Sequence, residues 1–463
     1  MFTRPINTEL TPELIKDAIE ANEQERARYN KLEDYYLGKH EISYRYKRDT
    51  LINNKIVINH AKYITDINTG YLLGNPISYT SDQEIEGIIE EYRKQTISDL
   101  DHEIAKDLSV FGRAYELDYT SGNEVKSAIV DVRNCICVYD DTINHSMMYA
   151  ITYQKNSNKP NKYDDIVVYD EGFIYNYVQN GEIRLNTITP HYFDRIPLIE
   201  YRNNSELMGD FEQVIPLIDA YNLIQSDRVN DKEQLVDALM VVYGMQLTPE
   251  QRYSMKNSRV MHGLDKDTKV EYLTKQLNEA DADTLRRVIE NDIHKISMTP
   301  NLTDENFVGN SSGVAIRYKL IAFEQSVINK ERYFEKGLKE RFQIYNNYLN
   351  KLKGIPIIPI YEVDAVFKRN LPQNDLETSQ MINNLSSFVD KETLLSQLSF
   401  VDDVKKVLEA KGIEQEQEVK QDSEYYNNDE AVLAQAKQGL EGEVEAQNND
   451  FLSKVSRIIK GEA

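Results

Sequence analysis

The chain has 463 residues, 40% of them hydrophobic and 28% charged, with 77 acidic against 54 basic side chains and a net charge of −23. That length suits two to four domains or one elongated subunit of several parts. The acidity excludes a tight grip on nucleic acid through phosphate neutralisation, so the protein either never meets a polynucleotide or meets one without holding it.

No apolar run approaches the length that spans a bilayer. Residues 1–20 are polar and acidic rather than leader-like, so the expected setting is the cytosol or an assembly built there. Helical spacing of Leu10, Leu14, Ile15, Ala18 and Ile19 predicts a first helix over 9–37, closed at Gly38. Ile56, Ile58, Ala61, Ile64, Ile67 and Tyr71 predict a second, stopped at Gly74 before the Asn75–Pro76 pair. Two more helices are expected over 83–96 and 98–112.

From about 114 to 201 the apolar period changes to two. Eight segments, among them "AYELDYT", "CICVYDD" and "DIVVYD", read as strands, and Asn180–Gly181 is a strong hairpin signal. This region is expected to be antiparallel. Cys135 and Cys137 alternate on one of these strands and share a face.

Helical spacing resumes at Asp210, where Asp210 and Gln213 resemble a capping box and Pro216 either kinks the helix or marks its true start. A small α/β insert follows: strands "LMVVYGMQL", "RVMHGL" and "KVEYLTK" and a short helix over 248–256. A helix over 278–297 has acids in its first turns and His294 and Lys295 in its last, which matches the helix dipole. The loop "NFVGNSSG" leads into a helix over 314–353 whose apolar stripe runs from Leu320 and Phe323 to Leu349 and Leu352. An extended segment ending in a strand, short helices over 375–411, and a tail over 414–463 with 12 acidic and 5 basic residues complete the chain.

Little in the chain points to catalysis. The glycine-rich loop lacks the Gly-Lys-Ser/Thr of a phosphate-binding loop and follows a helix and a proline, not a strand. The pairs Asp140–Asp141, Asp164–Asp165 and Asp402–Asp403 read as solvated turns, because neighbours on a strand point to opposite faces. There is no C-x-x-C, no H-E-x-x-H and no nucleophile elbow, so no metal or cofactor is expected. Arg286, Arg287 and Lys295 before the loop, with Arg317 and Lys319 after it, put basic groups on both sides of a polar connector. They are either solvated helix faces or brief contacts to a polyanion, which carry no sequence information.

The stretches "GYLLGNPISYTSD", "GDFEQVIPLIDAYNLIQSDRVNDKEQLVDALMVVYG" and "SMTPNLTDENFVGNSSGVAIRYKLIAFEQ", in this order, resemble the portal proteins of tailed bacteriophages, particularly those of phages of Gram-positive bacteria. The likeness in layout covers about residues 5–410. It implies an α+β subunit, mainly helical and elongated, that assembles into a ring. A wing over 1–209 would hold the antiparallel β region. Stem helices over 210–238 and 276–298 would flank a small α/β clip over 239–275. A tunnel loop over 299–313, a long helix and wing strand over 314–370, a crown over 371–413 and the acidic tail over 414–463 would follow.

The resemblance makes Asn306, Gly309, Asn310, Ser311, Ser312 and Gly313 the loop that touches passing double-stranded DNA, with Arg286, Arg287, Lys295, Arg317 and Lys319 as candidate channel-facing bases. It implies no catalytic residue and no cofactor. The implied partners are a homo-oligomeric, dodecameric ring, double-stranded DNA bound transiently and without sequence preference, the terminase large subunit, scaffold and major capsid proteins, and a head–tail adaptor. It places the protein at the capsid vertex of a virion assembled in the host cytoplasm. A head-assembly nuclease or protease, or another head–tail connector ring, is the alternative.

Overall fold

Thr11 starts the first helix: its Oγ1 accepts the Leu14 N–H at 3.2 Å and Pro12 occupies the first turn, where no N–H is needed. In this computed structural model α1 spans Pro12–Tyr36 and Gly38, at φ +82°, turns the chain away. The residues described are 1–47, 52–156, 162–236, 239–243, 248–250, 253, 269–273, 279–302, 313–369, 375–395 and single positions up to 411. Residues Met1–Leu371 form one unit and Pro372–Ala463 another.

In the first unit α2 (His60–Leu73), α3 (Glu86–Lys94) and α4 (Ile97–Phe111) precede the β region. All eight strands expected there form: β3 (Arg113–Ser121), β4 (Glu124–Val130), β5 (Cys135–Asp140), β6 (Met147–Lys155), β7 (Tyr163–Tyr169), β8 (Phe173–Asn180), β9 (Glu182–Pro190) and β10 (Leu198–Arg202). They divide into a three-stranded sheet, β10-β3-β4, and a six-stranded one in which β1 (Phe2–Arg4) joins β5 in parallel and β5 to β9 form an antiparallel meander. Leu14, Ile15, Ala18 and Ile19 of α1 pack against one face of the larger sheet, on Ile136, Val138 and Ile151. Cys135 and Cys137 face the other way, into the core that includes Tyr115 and Phe211.

Three helices complete the unit: α5 (Ile215–Val236), α6 (Glu279–Ile296) and α7 (Gly313–Lys353). Between α5 and α6, β11 (Leu239–Tyr243) and β12 (Lys269–Leu273) pair antiparallel, while the expected strand over 259–264 lies outside the described residues. The 41 residues of α7 make a rod of about 60 Å. Its buried stripe from Leu320 to Leu349 is the expected one, but Leu352 is exposed because the core ends one turn earlier. Strand β13 (Val363–Val366) pairs with β2 (Ser78–Ser81), tying the chain beyond α7 back to its first hundred residues. The second unit contains α8 (Asp375–Leu385) and α9 (Lys391–Leu395); the acidic tail lies outside the described residues.

Several expectations need correction. Asp210 does not cap a helix. Its carboxylate takes hydrogen bonds from Ser109 Oγ at 2.5 Å and Asn203 Nδ2 at 2.9 Å and pairs with Lys330 at 2.5 Å, because a charge buried this far needs a cation more than a helix end needs a cap. Pro216 therefore marks the true start of α5 rather than kinking it. Asp140 is not solvated either. It is buried and organises the β5–β6 turn by accepting from the Thr142 N–H and Oγ1 and the Ser146 N–H, which hold its carboxyl below the usual range. The helix expected from Ile56 begins only at His60, and α3 begins at Glu86 rather than Gln83.

Candidate nucleic-acid interface at the α5–α6 hairpin

Residues 52–59 belong to no helix or strand, and their backbone donors must find partners elsewhere. They find them on α5. Asn222 Oδ1 accepts the Ile58 N–H at 2.8 Å, Ser226 Oγ the Ile56 N–H at 3.0 Å and Asn230 Oδ1 the Asn54 N–H at 2.7 Å. The match is geometric: four residues of helix rise 6.0 Å, and two residues of extended chain rise about 6.6 Å. Every fourth side chain of α5 thus meets every second N–H of the strap. Arg45 and Lys47 add ion pairs to Asp227 at 2.9 and 3.2 Å. Asn222→Ala is expected to cost about 2 kcal/mol by leaving a donor unpaired. Faster hydrogen exchange at the Ile58 amide, with the β-sheet amides unchanged, checks it.

On its other side α5 packs on α6. Leu217 and Tyr221 meet Ile289 and Ile293, and Arg286 bridges the helices by reaching Glu290 at 2.7 Å, Asp283 at 3.2 Å and the Tyr221 hydroxyl at 3.3 Å. Arg286 is thereby held within the hairpin. Arg287 pairs with Asp283 at 2.9 Å but leaves 70% of its side chain exposed. Thr284, Arg287, Asn291 and Lys295, spaced by three and four, form an exposed polar stripe on the side of α6 away from α5. Lys319 is exposed on α7, Gly313 is the first residue of that helix, and the Arg317 side chain lies outside the described residues, as do Asn306, Gly309, Asn310, Ser311 and Ser312.

The described ends of the loop are held firmly. Thr299 is buried: its Oγ1 accepts from Asn68 Nδ2 at 3.0 Å and its carbonyl from His294 Nδ1 at 3.0 Å. The Tyr63 hydroxyl donates to the Pro300 carbonyl at 3.1 Å and accepts the Leu302 N–H at 3.0 Å. Beyond the loop, Leu320 and Phe323 seat α7 in the core, Tyr71 donates to Glu324, and Arg369 pairs with Glu324 at 2.9 Å and with Glu331. Sequence spacing offered no sign of Tyr63 or Asn68 as anchors, since both sit within an ordinary helical pattern.

His60 lies under this root, edge-on to Tyr221 at 4.9 Å and to His294 at 5.7 Å. Burial, then the neighbouring His294 and His40, push its imidazole down to about 4. The unfolded chain binds this proton near 6.5 and the folded one refuses it until about 4, so His60 costs stability as pH falls through that window. The loss reaches about 3 kcal/mol at its acid end. A fall in Tm between pH 6.5 and 4 that is smaller in His60→Gln than in the wild type checks this.

A cavity of about 560 Å³ under β1 is lined by Arg28, Arg202, Glu200 and Glu212, yet Arg28 grips Glu212 at 2.6 and 2.7 Å and Arg202 grips Glu200 at 2.6 and 2.9 Å. Among the described residues no group of three or more His, Cys, Asp or Glu side chains is placed to hold a metal ion, and no helix is long and apolar enough to cross a membrane.

The family model described as "Phage portal protein, SPP1 Gp6-like" matches residues 15–423. The chain belongs to this family. The portal protein of Bacillus phage SPP1 is 25% identical over 384 residues, covering 77% of this chain and 75% of that one. The portal protein of Clostridium phage phiCD119 is 20% identical over 462 residues, covering 90% of this chain and 99% of that one. A solved structure described as the neck of an empty GTA particle computed with C6 symmetry covers 72% of this chain and 86% of its own at 11% identity, with a TM-score of 0.42. The resemblance read from the three quoted stretches is therefore borne out, and phage portal proteins are virion components. In this portal chain the α5–α6 hairpin, its loop root and the long helix α7 all fall inside the matched span.

Proposed function

We propose that copies of this portal chain close into a dodecameric ring at one capsid vertex, and that double-stranded DNA enters and leaves the virion through its channel. The observation that carries this reading is the anchored hairpin. α5 and α6 deliver a Gly-, Ser- and Asn-rich loop from a root fixed by Tyr63, Asn68 and His294, within a chain of the portal family. Asn306, Gly309, Asn310, Ser311, Ser312 and Gly313 provide uncharged polar contact at the narrowest part. Arg287, Lys295 and Lys319 supply sparse positive charge, and Arg317 adds to it. A wall of copies each carrying −23 repels DNA and keeps it sliding. Phosphate contacts of this kind read no sequence.

In this reading the wing, stem, clip and crown take the boundaries given above. The clip faces the terminase large subunit, which supplies the ATP hydrolysis that this chain does not, and later the head–tail adaptor. Scaffold and major capsid protein hold the ring in place during assembly in the host cytoplasm. The test is to delete residues 308–312. Rings of unchanged mass by native mass spectrometry that fail to package or retain DNA are expected. Deleted rings that package and retain normally would overturn the loop assignment.

A further inference from the structure

Three buried carboxyl groups meet beneath α7. Glu116 and Asp118, two apart on β3, share a face, and Asp101 comes from α4; none is more than 3% exposed. Among the described residues Arg341 is the single cation paired with them, and two of the three take it. Its guanidinium bonds to Asp101 at 2.6 Å and to Glu116 at 2.7 and 2.8 Å. Asp118 makes no bond to it. Three ionised carboxylates beside one guanidinium would bury excess negative charge, which a core relieves by neutralising a group. The carboxyl that loses its charge at least cost is the one the guanidinium does not touch.

The surrounding hydrogen bonds show which oxygen has room for a proton. Gln95 Nε2 donates to the Tyr345 hydroxyl at 3.1 Å, that hydroxyl lies 2.8 Å from Ser127 Oγ, and Ser127 Oγ lies 2.5 Å from Asp118 Oδ1. Followed from Gln95, the hydrogens of this chain point toward Oδ1, which accepts. Asp118 Oδ2 is buried with no donor among the described residues, and the Glu116 carboxylate lies within hydrogen-bonding reach of the same side chain. Two carboxylates can only accept, so they meet favourably when one of them carries a hydrogen. The other titratable groups about the cluster are Tyr79 of β2, Tyr92 of α3, Tyr201 of β10 and Tyr345 of α7, and none supplies a cation.

We propose that Asp118 is a proton-binding site and a pH-sensitive latch: folding loads one proton from solvent onto its Oδ2, which donates to the Glu116 carboxylate, and the hold of α7 on β3 weakens as pH rises. Burial, then the Glu116 carboxylate, push the Asp118 carboxyl well above its ordinary range, against the opposing pull of Ser127 and Arg341. The unfolded chain gives up this proton near 3.8, whereas the folded chain keeps it to higher pH. Stability therefore falls as pH rises through the interval between the two. The sign is opposite to that of His60, which costs stability as pH falls. The latch lies within one chain and does not depend on ring closure.

The experiment uses the full chain and the isosteric, permanently neutral Asp118→Asn. At pH 8 the variant should melt about 2–4 °C above wild type, and the gap should close as pH falls toward 4. Infrared difference spectra of wild type minus variant at pH 7 should show the carbonyl band of a protonated carboxyl group, displaced when the aspartates carry ¹³C. Should Asp118→Asn fail to fold, Ser127→Ala takes its place: removing the hydroxyl that donates to Oδ1 should shift the same band. A difference spectrum with no such band would overturn the proposal. So would a variant whose Tm runs below wild type by the same margin from pH 4 to pH 8, because Asp118 would then be ionised in the folded chain.

Discussion

Replacing Arg341 by alanine is expected to destabilise the protein by about 3–5 kcal/mol, the range for breaking a buried ion pair by removing one partner. Arg341 is completely buried in the middle of α7. Its guanidinium reaches Asp101 at 2.6 Å and grips Glu116 at 2.7 and 2.8 Å, while the Tyr201 hydroxyl donates to Glu116 at 2.7 Å. Burial pulls the guanidinium toward neutrality, but Asp101 and Glu116 overcome it and hold it charged. Asp101 is already raised by its own burial with the arginine present. Without Arg341 two carboxylates stand in the core with no cation. They can escape only by protonation, so the deficit of Arg341→Ala should shrink as pH falls from 7 toward 5. Denaturant titrations of both proteins at several pH values measure this. A deficit that stays constant with pH would show that lost packing, not uncompensated charge, sets the cost.

Period-two alternation and turn signals located all eight strands of the β region, although β5 is buried at every residue and β9 at only one. Helical spacing found α7 almost residue for residue. What the sequence hid has a common cause. Ile56 and Ile58 continue the helical spacing of α2, yet they lie in the strap, since Asn222, Ser226 and Asn230, more than 160 residues away, offer acceptors at the repeat of an extended chain. Asp210 looked like a cap until Lys330 claimed it. Three-residue β1 is too short for any period. Local pattern reports which face of an element is buried. It does not report a partner brought in from another part of the chain, and the loop root at Tyr63 and Asn68 is made of such partners. The candidate loop was legible by composition alone, and Arg286 shows why composition is not enough: equal in charge to Arg287, it is held between Asp283, Glu290 and Tyr221.

Gly112→Ala is expected to cost about 3 kcal/mol or more, through two separate effects. Gly112 ends α4 at φ +81°, where a side chain adds about 1 kcal/mol of strain, and a Cβ there would lie 2.2 Å from the Leu207 carbonyl oxygen, forcing backbone to move. Gly209 supplies the internal comparison. Its φ is not in the left-handed region, yet an added Cβ would lie 2.4 Å from the Val110 carbonyl oxygen. Gly209→Ala should therefore lose only the steric part and be the milder variant. Both glycines let the 207–210 segment lie flat against the end of α4, where Asp210 meets Ser109 and Lys330 immediately before α5 begins. This knot fixes the chain where it enters α5. In the proposed ring a small tilt at the knot is magnified along the 22 residues of α5. Gly209→Ala is thus expected to keep a cooperative melt with a lower Tm while forming fewer closed rings, as counted in particle images. Normal ring closure at that lowered Tm would separate the knot's role in stability from any role in aiming α5.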